Sequence, residues 1–200
     1  MKQWIDLYGT QRNARSLGSN TWSSELRKRL VKLSKAGYCD SSVEGRFTYK
    51  QVGNLLDWSI RDGGAAAPVL LRQISGLASA ELSLMALADR RNNHLHQFTA
   101  MVEGKRADGS AWALAVHFED DRITEKNPDA DRKGTGACGH AAFHCHVGPG
   151  LDVQPKVRVP LPAIGPVEAL EWVLSQLVPM STFEPAPWDD VQTALKKAST

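Results

Sequence analysis

The strongest constraint on the fold of this 200-residue chain is a run of strict alternation. Between Ala111 and Phe118 every second residue is large and apolar: Trp112, Leu114, Val116 and Phe118. That period suits a strand with one face on a core and does not suit a helix. His94 to Glu103 alternates as well, and Gly104-Lys105-Arg106-Ala107-Asp108-Gly109 separates the two runs. Two alternating runs about an Asp-Gly turn predict a β-hairpin. Two further short strands are expected over His140–Val147 and Lys156–Leu161, with Gly148-Pro149-Gly150 turning the chain between them. Pro160 and Pro162 suit an edge or a strand end. Residues 119–135 carry six carboxylates and predict a long exposed loop.

Elsewhere the pattern predicts helices. Ser23 caps a helix to Ala36 with Leu26, Leu30 and Leu33 on one face and Gly37 after it. Thr48-Tyr49-Lys50-Gln51 has the form of a capping box. The helix it opens carries Val52, Leu55, Leu56 and Ile60, and Asp62-Gly63-Gly64 ends it. Pro68 opens a long apolar helix through Leu70, Leu71, Ile74, Leu77, Leu84, Met85 and Leu87 to Asp89, the candidate central buried helix. Pro166 opens another through Leu170, Val173, Leu174 and Leu177, stopped by Pro179. Trp188 to Lys197 forms the last. The expected class is α+β: N-terminal helices, a small antiparallel four-stranded sheet, then two C-terminal helices. Residues 1–91 read as a basic helical region and 92–200 as an α+β region with a histidine-rich sheet, together one compact unit.

Composition narrows the setting. No apolar run approaches the roughly 20 residues of a membrane span, and Met1-Lys2-Gln3-Trp4-Ile5-Asp6 lacks the apolar segment of a secretion signal. Three cysteines, Cys39, Cys138 and Cys145, imply reduced thiols and a cytoplasmic protein. Residues 1–61 hold 11 Lys/Arg against 5 Asp/Glu, so most of the positive charge is at one end. Arg27, Lys28, Arg29, Lys32 and Lys35 lie on the polar face of the first helix. They are either a phosphate-binding surface or a solvated face.

All six histidines fall between positions 94 and 146. On an extended strand His140, His144 and His146 share a face, while Phe143, Cys145 and Val147 point the other way, toward a core. His94 and His96 share a face of the first hairpin strand, and His117 lies near the end of the second. Three readings follow. A zinc or other transition-metal site would use His140, His144 and His146, with Glu119 or Asp120 completing it. Metal-free acid–base chemistry would use a histidine pair to cleave RNA, with Lys156, Arg158 or Lys133 facing the phosphorane. A structural reading makes the histidines hydrogen-bonded residues of a sheet face or contacts to a partner. Cys145 is expected to pack inside as a small apolar residue.

Arg132-Lys133-Gly134, then His144-Cys145-His146 with Gly148, then Val167-Glu168 opening a helix, form a layout over residues 96–178. It resembles the TumE-type toxins of bacterial toxin–antitoxin pairs. That resemblance implies a growth-inhibiting or defence protein and carries over His144 and His146. The leading expectation is a cytosolic bacterial protein that engages nucleic acid through Arg27, Lys28, Arg29, Lys32 and Lys35. It would cleave RNA with His144 and His146, and His140 and His117 are the next candidates. No cofactor is required on that reading, zinc being the one that the histidines would suit. Possible partners are nucleic acid, or a protein such as an antitoxin or a complex subunit. The alternatives are a non-catalytic interaction or scaffold subunit, and a metal-dependent hydrolase.

Overall fold

The computed structural model describes residues 22–92, 94–119, 143–150, 157–161 and 164–177. Helix α1 (Trp22–Lys35) is followed by a short 3-10 turn, Ser41–Gly45. Nine strands come next: β1 (Phe47–Val52), β2 (Leu55–Asp62), β3 (Ala65–Ala66), β4 (Val69–Leu71), β5 (Ser79–Asp89), β6 (Leu95–Lys105), β7 (Ala111–Glu119), β8 (Phe143–Gly148) and β9 (Val157–Pro160). Helix α2 (Pro166–Ser175) closes the described chain. The strands form one antiparallel sheet in the order β1-β2-β5-β6-β7-β8-β9, with β3 on β2 and β4 on β5.

This corrects the expected architecture. A small four-stranded sheet between helical blocks is not what forms, because residues 47–62 and 69–89 are strands rather than helices. Two local signals decide the first stretch. Val52 pairs with Leu55 across Gly53-Asn54, and Asp62 pairs with Ala65 across Gly63-Gly64. Both are two-residue hairpin loops. Gly63 and Gly64 have φ of 56° and 86°, the left-handed pair that a type I′ turn demands. The residues that look like a helix stop therefore make a hairpin.

The 79–89 stretch is rich in Ala, Leu, Met and Glu, all good helix formers. Yet Ala80, Leu82, Leu84, Ala86 and Ala88 are buried at every second position, with residues between them half-buried or exposed. Strand β6 lines one side of β5, and β2 and β4 line most of the other, so nearly all of its backbone is paired and period two outweighs intrinsic propensity.

The other elements match expectation closely. The β6–β7 hairpin turns at Arg106–Ser110, where Asp108 accepts from the Ser110 amide at 2.8 Å. Strand β9 falls within its predicted segment, and β8 overlaps its own from Phe143 but runs one residue further, to Gly148. The helix expected from Trp188 to Lys197 and the acidic loop after residue 119 lie outside the described residues.

Both helices pack on one face of the sheet. Helix α1 buries Trp22, Leu26, Leu30 and Leu33, and α2 buries Ala169, Leu170, Val173 and Leu174. Their partners are the even-numbered positions of β5, β6 and β7, such as Leu82, Phe98, Val102 and Val116, in one shared core. Trp22, Phe47 and Trp58 stack edge-on and tilted at 5.5–6.5 Å beneath α1. A partly buried ion pair, Arg29 Nε to Glu171 Oε1 at 2.5 Å, ties α1 to α2. The opposite face, formed by the odd positions of β5–β7, carries no helix among the described residues. Among the described residues no helix is long and apolar enough to cross a membrane.

Candidate histidine site

Register assembles the cluster. Thr99 on β6 lies opposite His117 on β7, and His117 lies opposite His144 on β8. His146 is two residues further along β8, opposite Ala115. All four polar residues therefore project from the helix-free face. Ala115 has no bulk of its own, so the rings on either side have room to turn toward each other. The His117 and His144 rings stack at 5.5 Å with 24° between planes. His117 meets His146 edge-on at 4.9 Å, and His144 meets His146 at 4.7 Å. Two hydrogen bonds fix them: Thr99 Oγ1 to His117 Nδ1 at 2.9 Å, and His144 Nε2 to His146 Nε2 at 2.8 Å.

The expected parity holds at Phe143, His144, Cys145 and His146, but Val147, expected toward the core, is 37% exposed. Phe143 and Cys145 face the core, Phe143 stacked on Phe118 at 4.6 Å, while His144 and His146 face away. Burial holds the Cys145 thiol above its usual range, and no disulfide engages either Cys39 or Cys145. His94 and His96 form a second edge-on pair, at 5.1 Å, near the start of β6. His140, Cys138, Lys133, Lys156 and Asp120 lie outside the described residues, as do Arg132 and Gly134. Arg158 lies opposite His146 in register.

The geometry restricts what the cluster does. A direct bond between two Nε2 atoms has one proton in it, so one ring donates and the other accepts. A general base and a general acid on a phosphodiester must each stand about 3 Å from their own oxygen, on opposite sides of the phosphorus. With those nitrogens 2.8 Å apart, the two rings would have to separate before each could meet its own oxygen. His144 is also only 7% exposed, so substrate cannot reach it without movement of its neighbours.

For a metal ion, three ligand nitrogens must aim at a common point about 2 Å from each. The His117 ring instead lies nearly parallel to that of His144. Among the described residues no group of three or more His, Cys, Asp or Glu is placed to hold a metal.

No known protein family, curated protein or solved structure matches this chain. The resemblance to TumE-type toxins therefore rests on its own residues.

The basic residues of α1 divide into two sets. Arg27 turns inward: its Nε donates to Phe47 O at 2.9 Å and its guanidinium lies 5.2 Å over the Trp58 ring. Arg29 is drawn to Glu171 and to Glu25. Lys28, Lys32 and Lys35 are exposed, with Lys28 bonded to Glu25 at 2.6 Å. The five residues expected as one phosphate-binding surface thus supply three exposed cations and two arginines used in packing.

Sequence reasoning overlooked the helix-free face of β1, β2, β4 and β5, because these segments read as helices. It exposes Val52, Leu70 and Met85, which are 54%, 57% and 43% accessible. The Gly-Asn and Gly-Gly dipeptides at 53–54 and 63–64 were the available signal.

Proposed function

We propose that this chain is a non-catalytic protein-binding subunit and that its histidine cluster is a structural part of the binding sheet. One observation carries the reading: His144 and His146 are bonded to each other, with His144 largely buried. Such a pair serves packing and sheet register better than proton transfer to a substrate. The open face beside it, with Val52, Leu70 and Met85 exposed across three strands, supplies apolar surface of the kind interfaces use. Buried thiols at Cys39 and Cys145 suit a reducing cytoplasm.

The test has two arms. The purified chain is incubated with single-stranded RNA alongside His144→Ala and His146→Ala. It is also co-expressed with the products of its neighbouring genes and examined by size exclusion with light scattering. The reading expects no cleavage and a complex of fixed stoichiometry. RNA cleavage that both substitutions abolish overturns it and restores the histidine-pair ribonuclease.

The second reading, nucleic-acid binding by α1, draws on the exposure of Lys28, Lys32 and Lys35. It expects affinity that falls steeply with salt, in proportion to the cations engaged. Replacing the three lysines with glutamate would then abolish binding.

A further inference from the structure

The sheet splits on one flank of β5. Strand β2 pairs with β5 from Asp89 to Met85 and then leaves it. Strand β4 takes over from Leu82 to Ala80. Ser83 and Leu84 have neither strand opposite them on that flank. The chain crosses the gap as an arch through β3, Ala67 and Pro68. Two guanidiniums hold the arch in place. Arg46 donates to Arg61 O at 2.8 Å and to the Ala67 and Pro68 carbonyls at 3.3 Å, and Arg61 donates to Gly64 O at 3.0 Å. Ala67 N also donates to Ile60 O at 2.9 Å.

Between arch and strands lies an open cavity of about 100 Å³, lined by Ser59, Ala66, Pro68, Ser83, Leu84 and Met85 among others. Its walls are mostly apolar. Ser59 is 2% exposed, and its hydroxyl has no hydrogen-bond partner among the described residues. Buried hydroxyls almost always find a partner, so this one marks the cavity wall as incompletely satisfied. A cavity of about 150 Å³ holds benzene, so this one suits a branched aliphatic side chain.

The charge beside it is specific. Glu81 and Glu103 lie directly opposite each other on β5 and β6, both exposed. Like charges in that position disfavour the free sheet. Glu81 is two residues from Ser83 on the same face, roughly 7 Å along the strand. Leu70, opposite Glu81, is an exposed apolar neighbour.

We infer that the split between β2 and β4 is a socket for an apolar side chain of a protein partner, presented on a segment with a Lys or Arg two residues away to bridge Glu81 and Glu103. This rests on the protein-binding reading and identifies where that partner is held. The apolar walls take the anchor, and the carboxylate pair takes the cation.

The probe is acetyl-Lys-Ala-Leu-Ala-Lys-amide, titrated into the isotope-labelled full chain and followed by amide NMR. Acetyl-Glu-Ala-Leu-Ala-Glu-amide is the control. The expected result is saturable shifts at Ser59, Ser83 and Met85 with the basic peptide only. Glu81→Gln with Glu103→Gln should weaken binding at least threefold. Ala66→Leu, at an exposed arch position, should fill the socket and abolish the shifts. No shift at those amides, equal response to the acidic peptide, or full binding by Ala66→Leu overturns the socket. A stable complex with a natural partner that tolerates Ala66→Leu sinks the socket alone, whereas absence of any complex sinks the binding reading itself.

Discussion

Replacing His144 with alanine separates a structural cluster from a catalytic one. A catalytic histidine is expendable for folding, whereas this ring is 7% exposed and bonded at 2.8 Å to His146. Loss of that hydrogen bond removes about 1 kcal/mol. The stack on His117 and the edge contact with His146 together contribute roughly 0.5–1 kcal/mol. The void left by the ring adds about 0.5–1 kcal/mol more. The expected loss is therefore about 2–3 kcal/mol, or roughly 5–10 °C in Tm for a chain of this size. Urea denaturation followed by circular dichroism measures it. His146→Ala is half-buried and should lose less, about 1–2 kcal/mol. The double variant should show a coupling of about 1 kcal/mol, since both single changes remove the same bond. A His144→Ala protein within about 0.5 kcal/mol of the parent, at unchanged m, refutes the argument.

Gly104→Ala should destabilise by about 2 kcal/mol or more, because a Cβ there would stand 2.1 Å from Ser79 O, whereas Gly45→Ala, with nothing within 4 Å, should be near neutral by thermal melting. Burial pushes the Cys39 thiol up to about 11 and raises that of Cys145, so both should resist iodoacetamide at pH 8 in the native protein and react on unfolding, as read by peptide mass spectrometry. Hydrogen bonds hold three carboxyls below their ordinary 3.8: the Ser42 amide and hydroxyl on Asp40, the Arg91 amide on Asp89, and the Ser110 hydroxyl and amide on Asp108. Their stabilisation is complete above about pH 4 and drains as pH falls through the depressed values, so Asp108→Asn should flatten the acid limb of a stability-against-pH curve.

Partner choice along the sheet explains where local reading succeeded. From residue 95 onward the hydrophobic period and the turn residues agree: Trp112, Leu114, Val116 and Phe118 alternate, and Asp108-Gly109 sits between two runs of similar length. The parity of His144, Cys145 and His146 follows from the same period. Before residue 90 the local signals conflict. Thr48-Tyr49-Lys50-Gln51 matches a helix start, yet Gly53-Asn54 sits where a hairpin loop would. In β5 the helix-forming residues also obey period two, and composition does not decide between the two patterns.

The amino-acid order alone determined the strands from β6 to β9, the two amphipathic helices α1 and α2, and the side of β8 on which the imidazoles stand, because each is a repeat that a few neighbouring residues express. Only the tertiary structure decided that 47–89 is sheet, that Arg27 and Arg29 turn inward while the lysines stay out, and that His117, His144 and His146 touch. Those outcomes depend on which distant strand supplies hydrogen bonds and apolar cover, and such pairing energy is absent from any single segment.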